Sequence, residues 1–407
     1  MNNNVKINLF HYSLYDFANS AFVTIIITFI FSNYFVSSIV QNNVNGQAYW
    51  GWTISISGFL VAMSGPFLGA IADKKNINSF ILKISTLACI IFTILLWFSK
   101  PETKYIFFTL FIICIANYFY ELSSIFYNSI LINTSNKKKL GFASGISFAL
   151  GYFGGVIALL ITINFIIQSD YLKNFGESIN YRASVIFVAL WFLIFSLPLL
   201  NSIKIEKKNK KKESLNLRKL LWNQGLTKIS KFLLARLLYG DGLNTIFVMG
   251  GIFAVSIFQL NLKELLFMSI LMNMAAVIGA WLGGYFNDHF NCKNTILVSL
   301  VFLILFLILI ILTKTKLYFF IFAALLGFFI GPIQSASRVM ISRIIGREDQ
   351  NKAFGLFATS GKLTSFLGPA LVGSATLIFE SQRIGFSTVL LLLISGLIIL
   401  YKTDGLK

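Results

Sequence analysis

Twelve long apolar runs, parted by short polar connections, leave this 407-residue chain little choice of fold. Their approximate extents are 8–39, 49–71, 80–98, 105–132, 142–167 and 182–200, then 232–258, 264–286, 295–312, 317–343, 353–378 and 384–401. About 20 apolar residues in a helix cross a bilayer, and backbone groups in lipid must be satisfied within their own segment. Each run is therefore expected as a transmembrane α-helix. Only 12% of the residues are charged, against about 25% in soluble domains, which excludes a soluble globular protein. The expected class is an all-α polytopic membrane protein.

The charges that remain are ordered. Lys and Arg gather on alternate connections, with a roughly threefold excess on the side that carries both termini. By the positive-inside rule both termini are expected in the cytoplasm, and adding or removing one span would scramble the asymmetry. The net charge of +19 arises in these loops and in a basic linker at 202–231, centred on KIEKKNKKKES. It reads as orientation signal with some attraction to anionic membrane lipids, so no nucleic-acid partner is expected. The linker separates an N-terminal six-helix bundle, 1–201, from a C-terminal one, 232–407.

The second half echoes the first. LYDFANSAF at 14–22 and LYGDGLNTIF at 238–247 share the pattern D-x-x-N-[ST]-x-F, led by Asp16 and Asp241. Lys6 and Lys231 each stand ten residues earlier, ~15 Å of helical rise, so both acids sit near mid-membrane. A carboxylate facing lipid there costs at least ~2.5 kcal/mol, so each acid needs a partner or a cavity. Gly69–Asp73 and Gly284–Asp288 repeat G-x-x-x-D at the ends of the second and eighth runs. Ser144-Gly145 with Gly151, and Ser360-Gly361 with Gly368-Pro369, repeat in the fifth and eleventh. The order is kept, so the spans form two six-helix parallel repeats with a site expected between them.

Glu121 lies midway between Lys104 and Lys137, deep in the fourth run; Arg338 and Lys362 fall inside the tenth and eleventh. Asp16, Asn19, Glu121, Asp241, Asn244, Arg338 and Lys362 are the substrate-binding or coupling candidates, and each has a bland alternative. The acids and amides can simply join helices by hydrogen bonds. Lys362 can pair with an acid or hold an anionic substrate group. Arg338, five residues from Arg343, can snorkel to the cytoplasmic surface. Arg236 and His11 occupy one offset before the two Asp residues and are expected at the cytoplasmic mouth. Asp73 with Lys74 is the expected inner gate, with Asp288 its weaker counterpart. Two distant His and three Cys without metal spacing argue against a metal site, and no ATP-binding loop occurs. Neither an enzyme nor a cofactor is expected.

Several stretches together resemble the vacuole-effluxer-like group of the major facilitator superfamily. They are LYDFANSAFVTIIITFIFSNYF, SGPFLGAIAD, FYNSIL and SGISFALGYFGG in the first half, and LLYGDGLNTIF, GPIQSASRVMISRII and SGKLTSFLGPALVG in the second. The resemblance implies the twelve-helix major facilitator fold, a central cavity lined by spans 1, 4, 7 and 10, and a monomer. It also implies secondary active transport of small polar solutes by alternating access, amino acids first, since fungal members are described as amino-acid effluxers. Proton coupling and facilitated exchange both remain open, and bacterial members point to a bacterial inner membrane. Two departures concern the gate: Asn76 stands where a Gly is common, and His289 follows Asp288 where a basic residue is common. The gate is therefore expected to be looser in the second half. A membrane receptor or lipid-handling scaffold that binds without turnover is the alternative function.

Overall fold

Polar caps fix where the helices begin. Asn8 Oδ1 accepts from the backbone N–H of Phe10 at 2.9 Å, and Thr227 Oγ1 accepts from that of Ser230 at 3.2 Å. Asn261 and Glu264 close a reciprocal capping box, with both hydrogen bonds at 2.9 Å. Our computed structural model describes residues 7–176, 178–203, 220–223 and 225–405. Among them, twelve helices are long and apolar enough to cross a membrane. They are α1 Leu9–Val40, α2 Asn45–Lys75, α3 Asn78–Phe98, α4 Thr103–Asn133, α5 Leu140–Ile167 and α6 Ile179–Ser202. The second set is α7 Lys228–Phe258, α8 Lys263–Phe290, α9 Cys292–Leu312, α10 Lys316–Ile344, α11 Gln350–Phe379 and α12 Gln382–Tyr401. Most run up to a turn beyond the apolar runs, because capped polar turns continue the hydrogen-bond ladder. The basic centre of the expected linker lies outside the described residues.

Several helices depart from regular geometry, and the departures in α1 and α11 bear on the site. In α1 the residues Phe22–Phe29 form wide π-helical turns, over the β-branched run VTIIIT that crowds an ordinary α-turn. In α11 the helix stops at Lys362 and restarts at Leu367. Pro369 explains the break: it lacks an N–H, and its ring excludes a regular turn over the carbonyl of Ser365.

Packing repeats between the halves. In the first, α1 lies against α5 and α6, and α4 against α2 and α3; in the second, α7 lies against α11 and α12, and α10 against α8 and α9. Between the halves, α2 packs on α11 and α5 on α8. A shift of six helices exchanges these two contacts, as two parallel repeats require. Both crossings are glycine-lined. A Cβ on Gly145 would lie 2.5 Å from the Ala280 carbonyl, and one on Gly355 would lie 2.6 Å from that of Gly65. All four positions lie toward the side of the membrane that carries the termini, so the halves are closed there.

That closure gives a first prediction. Gly145→Val forces a side chain into the α5–α8 crossing, and overpacking costs ~1–3 kcal/mol. The cost falls on the closed state, so the variant is expected to open on the terminal side. Spin labels at Lys75 and Arg347 should report longer, broader distances than in wild type; an unchanged distribution would count against the crossing as the closing contact.

Candidate functional site

The largest fully buried side chain carries a guanidinium. Arg338 on α10 is 1% exposed, far from the surface position that five residues of separation from Arg343 allowed. All three of its nitrogens are used. Nη1 donates to Asp16 Oδ2 at 3.0 Å and Asn128 Oδ1 at 3.1 Å, Nε donates to Ser144 Oγ at 2.9 Å, and Nη2 donates to the Ser144 carbonyl at 2.8 Å. The ring of Phe148 lies 4.1 Å from its Cζ, with Tyr12 and Tyr127 beyond. Those two tyrosines stack at 4.3 Å, and Tyr127 donates its hydroxyl to the Tyr12 carbonyl. A long arginine snorkels when water is the nearest polar partner; here the carboxylate, amide and hydroxyl of the other half are nearer.

A second ion pair bridges the halves. Lys362 Nζ on α11 donates to Glu121 Oε1 on α4 at 2.7 Å. Their side chains are 29% and 18% exposed, against 2% and 13% for Arg338 and Asp16, so this pair is the more open of the two. The difference matters. The more deeply buried pair holds two elements together, whereas the more open one is within reach of an arriving solute.

The two copies of the duplicated motif serve different neighbours. Asp16 faces Arg338, and Asn19 Nδ2 donates back to Asp16 Oδ1 at 3.4 Å. Asp241 instead caps the restarted half of α11, accepting the Gly368 N–H at 2.9 Å on Oδ2. Asn244 Nδ2 donates at 3.4 Å to the Ser365 carbonyl, the one Pro369 leaves unpaired. The equivalence of Asp16 and Asp241 that the repeat suggests is thus broken by one proline. Asp241 Oδ1 is left buried without a partner among the described residues.

The terminal-side contacts are symmetric where the sequence suggested asymmetry. Asp73 accepts from Asn351 N at 3.1 Å, Asn351 Nδ2 at 2.8 Å and Lys352 N at 2.8 Å, at the start of α11. Asp288 accepts from the Gly141 and Phe142 N–H groups, both at 2.8 Å, at the start of α5, and pairs with Arg343 at 2.8 Å. Each carboxylate sits on the positive end of a helix from the opposite half. Asp288 is therefore held as fully as Asp73. The expectation of a looser second half does not hold, because backbone N–H groups and Arg343 supply what His289 does not; His289 Nδ1 meets the Tyr285 carbonyl instead. Lys74 is exposed and hydrogen-bonds to nothing among the described residues.

Residues 32–139 and 133–407 match the family described as vacuole effluxer Atg22 like. The chain belongs to that family. A relative from Bacillus subtilis strain 168, described as the uncharacterized MFS-type transporter YxiO, is 28% identical over 401 residues, covering 95% of this chain and 92% of its own. Autophagy-related protein 22 of Kluyveromyces lactis is 24% identical over 294 residues, covering 65% of this chain and 58% of its own. Among solved structures, the human organic anion transporter MFSD10 superposes with TM-score 0.74 at 12% identity, over 98% of this chain and all of that one. The transporter FucP in its outward conformation gives 0.75 at 12%, over 98% of each chain. The fold is that of the major facilitators, and this Atg22-like chain is an integral membrane transporter with twelve candidate spans among the described residues.

In this Atg22-like chain the expected residues fall into three groups. Asp16 and Arg338 meet in the more buried pair, Glu121 and Lys362 in the more open one, and Asp241 and Asn244 at the break in α11. Ser144 and Asn128 complete the Arg338 site and are not among the sequence candidates. Ser144 stands inside the repeated Ser-Gly motif, which was the available signal; Asn128, in FYNSIL, had only the family resemblance. His11 Nδ1 lies 2.6 Å from Ser202 Oγ on the terminal side, as expected of a mouth residue. Arg236 does not keep it company: it reaches across to Phe357 and Ser360 of α11, one turn from Lys362.

Proposed function

We propose that this chain carries small polar solutes, amino acids foremost, across a bacterial inner membrane by alternating access. The termini face the cytoplasm, as the Lys and Arg distribution indicates. The observation that carries the reading is the Glu121–Lys362 pair: opposite charges from opposite halves, 2.7 Å apart and open to solvent. An amino acid brings one ammonium and one carboxylate. It can enter such a pair by exchanging partners, Glu121 taking the ammonium and Lys362 releasing toward the carboxylate, so no charge is stranded in the membrane. Asp16–Arg338 is then the pivot that holds the halves at mid-membrane. Asp73 and Asp288 are the inner gate, closed here and broken when the halves rock.

Asp241 is the proposed proton carrier. A buried carboxyl with one oxygen hydrogen-bonded and the other bare can hold a proton on the bare oxygen without losing a bond. The test is counterflow. Proteoliposomes loaded with mixed amino acids are offered labelled single amino acids, with wild type and Asp241→Asn side by side. Both should exchange label, since exchange needs no net proton movement, while only wild type should accumulate label under an imposed pH gradient. Label exchange with no amino acid, in folded protein, would sink the amino-acid assignment and turn the search to other solutes. Equal accumulation by both proteins would remove Asp241 from coupling.

A further inference from the structure

Arg338 and Lys362 each have a carboxylate within ion-pair distance. Arg236 has none among the described residues. It sits on α7 beside the middle of α11, half-buried, where an unmatched charge is costly and marks function by default. Its attitude is fixed. Nη1 donates to the Phe357 carbonyl at 2.6 Å and to Ser360 Oγ at 2.8 Å. The ring of Phe357 lies 3.4 Å from Cζ, and a Cβ on Gly361 would come within 3.0 Å of Nη1. Three contacts therefore clamp one corner of the fork, while Nε and Nη2 hydrogen-bond to nothing among the described residues and are not sealed from solvent. Nε and Nη2 form the edge that grips a carboxylate with two parallel bonds. Held open and pre-set, that edge lacks only its anion.

We infer that Arg236 is the carboxylate anchor of this transporter, so that its solutes are carboxylates with or without an ammonium group. The inference rests on the transport reading for its biological meaning, and it adds to Lys362, for the substrate's anionic end, a residue outside the paired set. Charge supports it. Lys362 lies in the middle of α11 and Arg236 against it, and among the described residues Glu121 alone pairs with either. One carboxylate thus faces two cations, and an arriving carboxylate supplies the missing charge. Ser360 and Gly361, the second copy of the repeated Ser-Gly motif, acquire a reason: the hydroxyl clamps the fork and the missing Cβ makes room for it.

The test uses purified full-length protein at neutral pH, with thermal unfolding followed against sodium butyrate, n-butylamine hydrochloride and sodium chloride. Butyrate should raise the melting temperature of wild type well beyond chloride, and butylamine should not. Arg236→Gln, which keeps donors for Phe357 and Ser360 but no charge, should need at least tenfold more butyrate for the same shift, and Arg236→Lys an intermediate amount. Gly361→Val leaves the guanidinium present but displaces it, so it should also weaken the butyrate response if Arg236→Gln does not fold. A wild type indifferent to butyrate, or an Arg236→Gln with the wild-type response, would overturn the assignment. The amino-acid reading is judged separately by counterflow. Butyrate stabilisation lost in Arg236→Gln, with no amino acid exchanged, would leave the anion anchor standing and move the solute class to simple carboxylates.

Discussion

Arg338→Gln is expected to abolish transport and to destabilise the protein by about 3–5 kcal/mol, the usual cost of leaving a buried charge without its partner. Asp16 would face a neutral amide, and Ser144 and Asn128 would lose a donor each. Arg338→Lys should recover little, since an ammonium is one point of charge and the site spreads its acceptors around a planar fork. The double variant Asp16→Asn with Arg338→Gln separates structure from function. It removes both charges, so stability should return toward wild type, whereas flux should stay low if the pair is the pivot on which the halves turn. Thermal unfolding and counterflow on the same preparations give both readings. Recovery of flux together with stability would reduce the pair to scaffolding. A destabilisation below ~1 kcal/mol in the single variant would mean that water reaches the pair and that it behaves as a surface contact.

The contrast between what the chain announced and what it withheld has a physical origin. Hydrophobic run length and the bias of Lys and Arg are local quantities, summed along one segment, so the twelve spans and the two parallel repeats were legible. That Asp16, Glu121 and Asp241 fall well inside their helices was legible too, because rise per residue converts spacing into distance along the axis. Partners were not. Arg338 is five residues from a surface arginine, and nothing along α10 says that Asp16, 322 positions away, lies nearer than water. The same limit hid Arg236, whose partners are on α11. Symmetry misled in one place: the repeat suggested equivalent acids, but Pro369 breaks α11 where α5 has no proline, and Asp241 and Asn244 are spent on the break. It was undervalued in another. Asp288 was marked down for the residue beside it, yet its partners are backbone N–H groups, which any sequence supplies.

Glu121→Gln and Lys362→Gln should show the opposite profile from Arg338→Gln. Each should cut amino-acid counterflow by roughly 30-fold or more, the scale on which truncating one member of a bound charge pair acts. Stability should change by about 1 kcal/mol or less, because solvent already reaches both side chains. The decisive variant is the exchange Glu121→Lys with Lys362→Glu. It rebuilds an ion pair between α4 and α11, so a purely structural bridge would be restored along with the flux. A pair that sorts the two ends of a zwitterion behaves differently. The exchanged protein would present its cation on α4 and its carboxylate on α11, the helix that Arg236 packs against. The ammonium and carboxylate of one small molecule then find each position occupied by the wrong sign, and the carboxylate introduced on α11 can itself close on Arg236. Stability near wild type with flux still at the level of the single variants is therefore the expected result. Flux restored by the exchange would take the solute away from this pair, and the search for its site would pass to Arg236 alone.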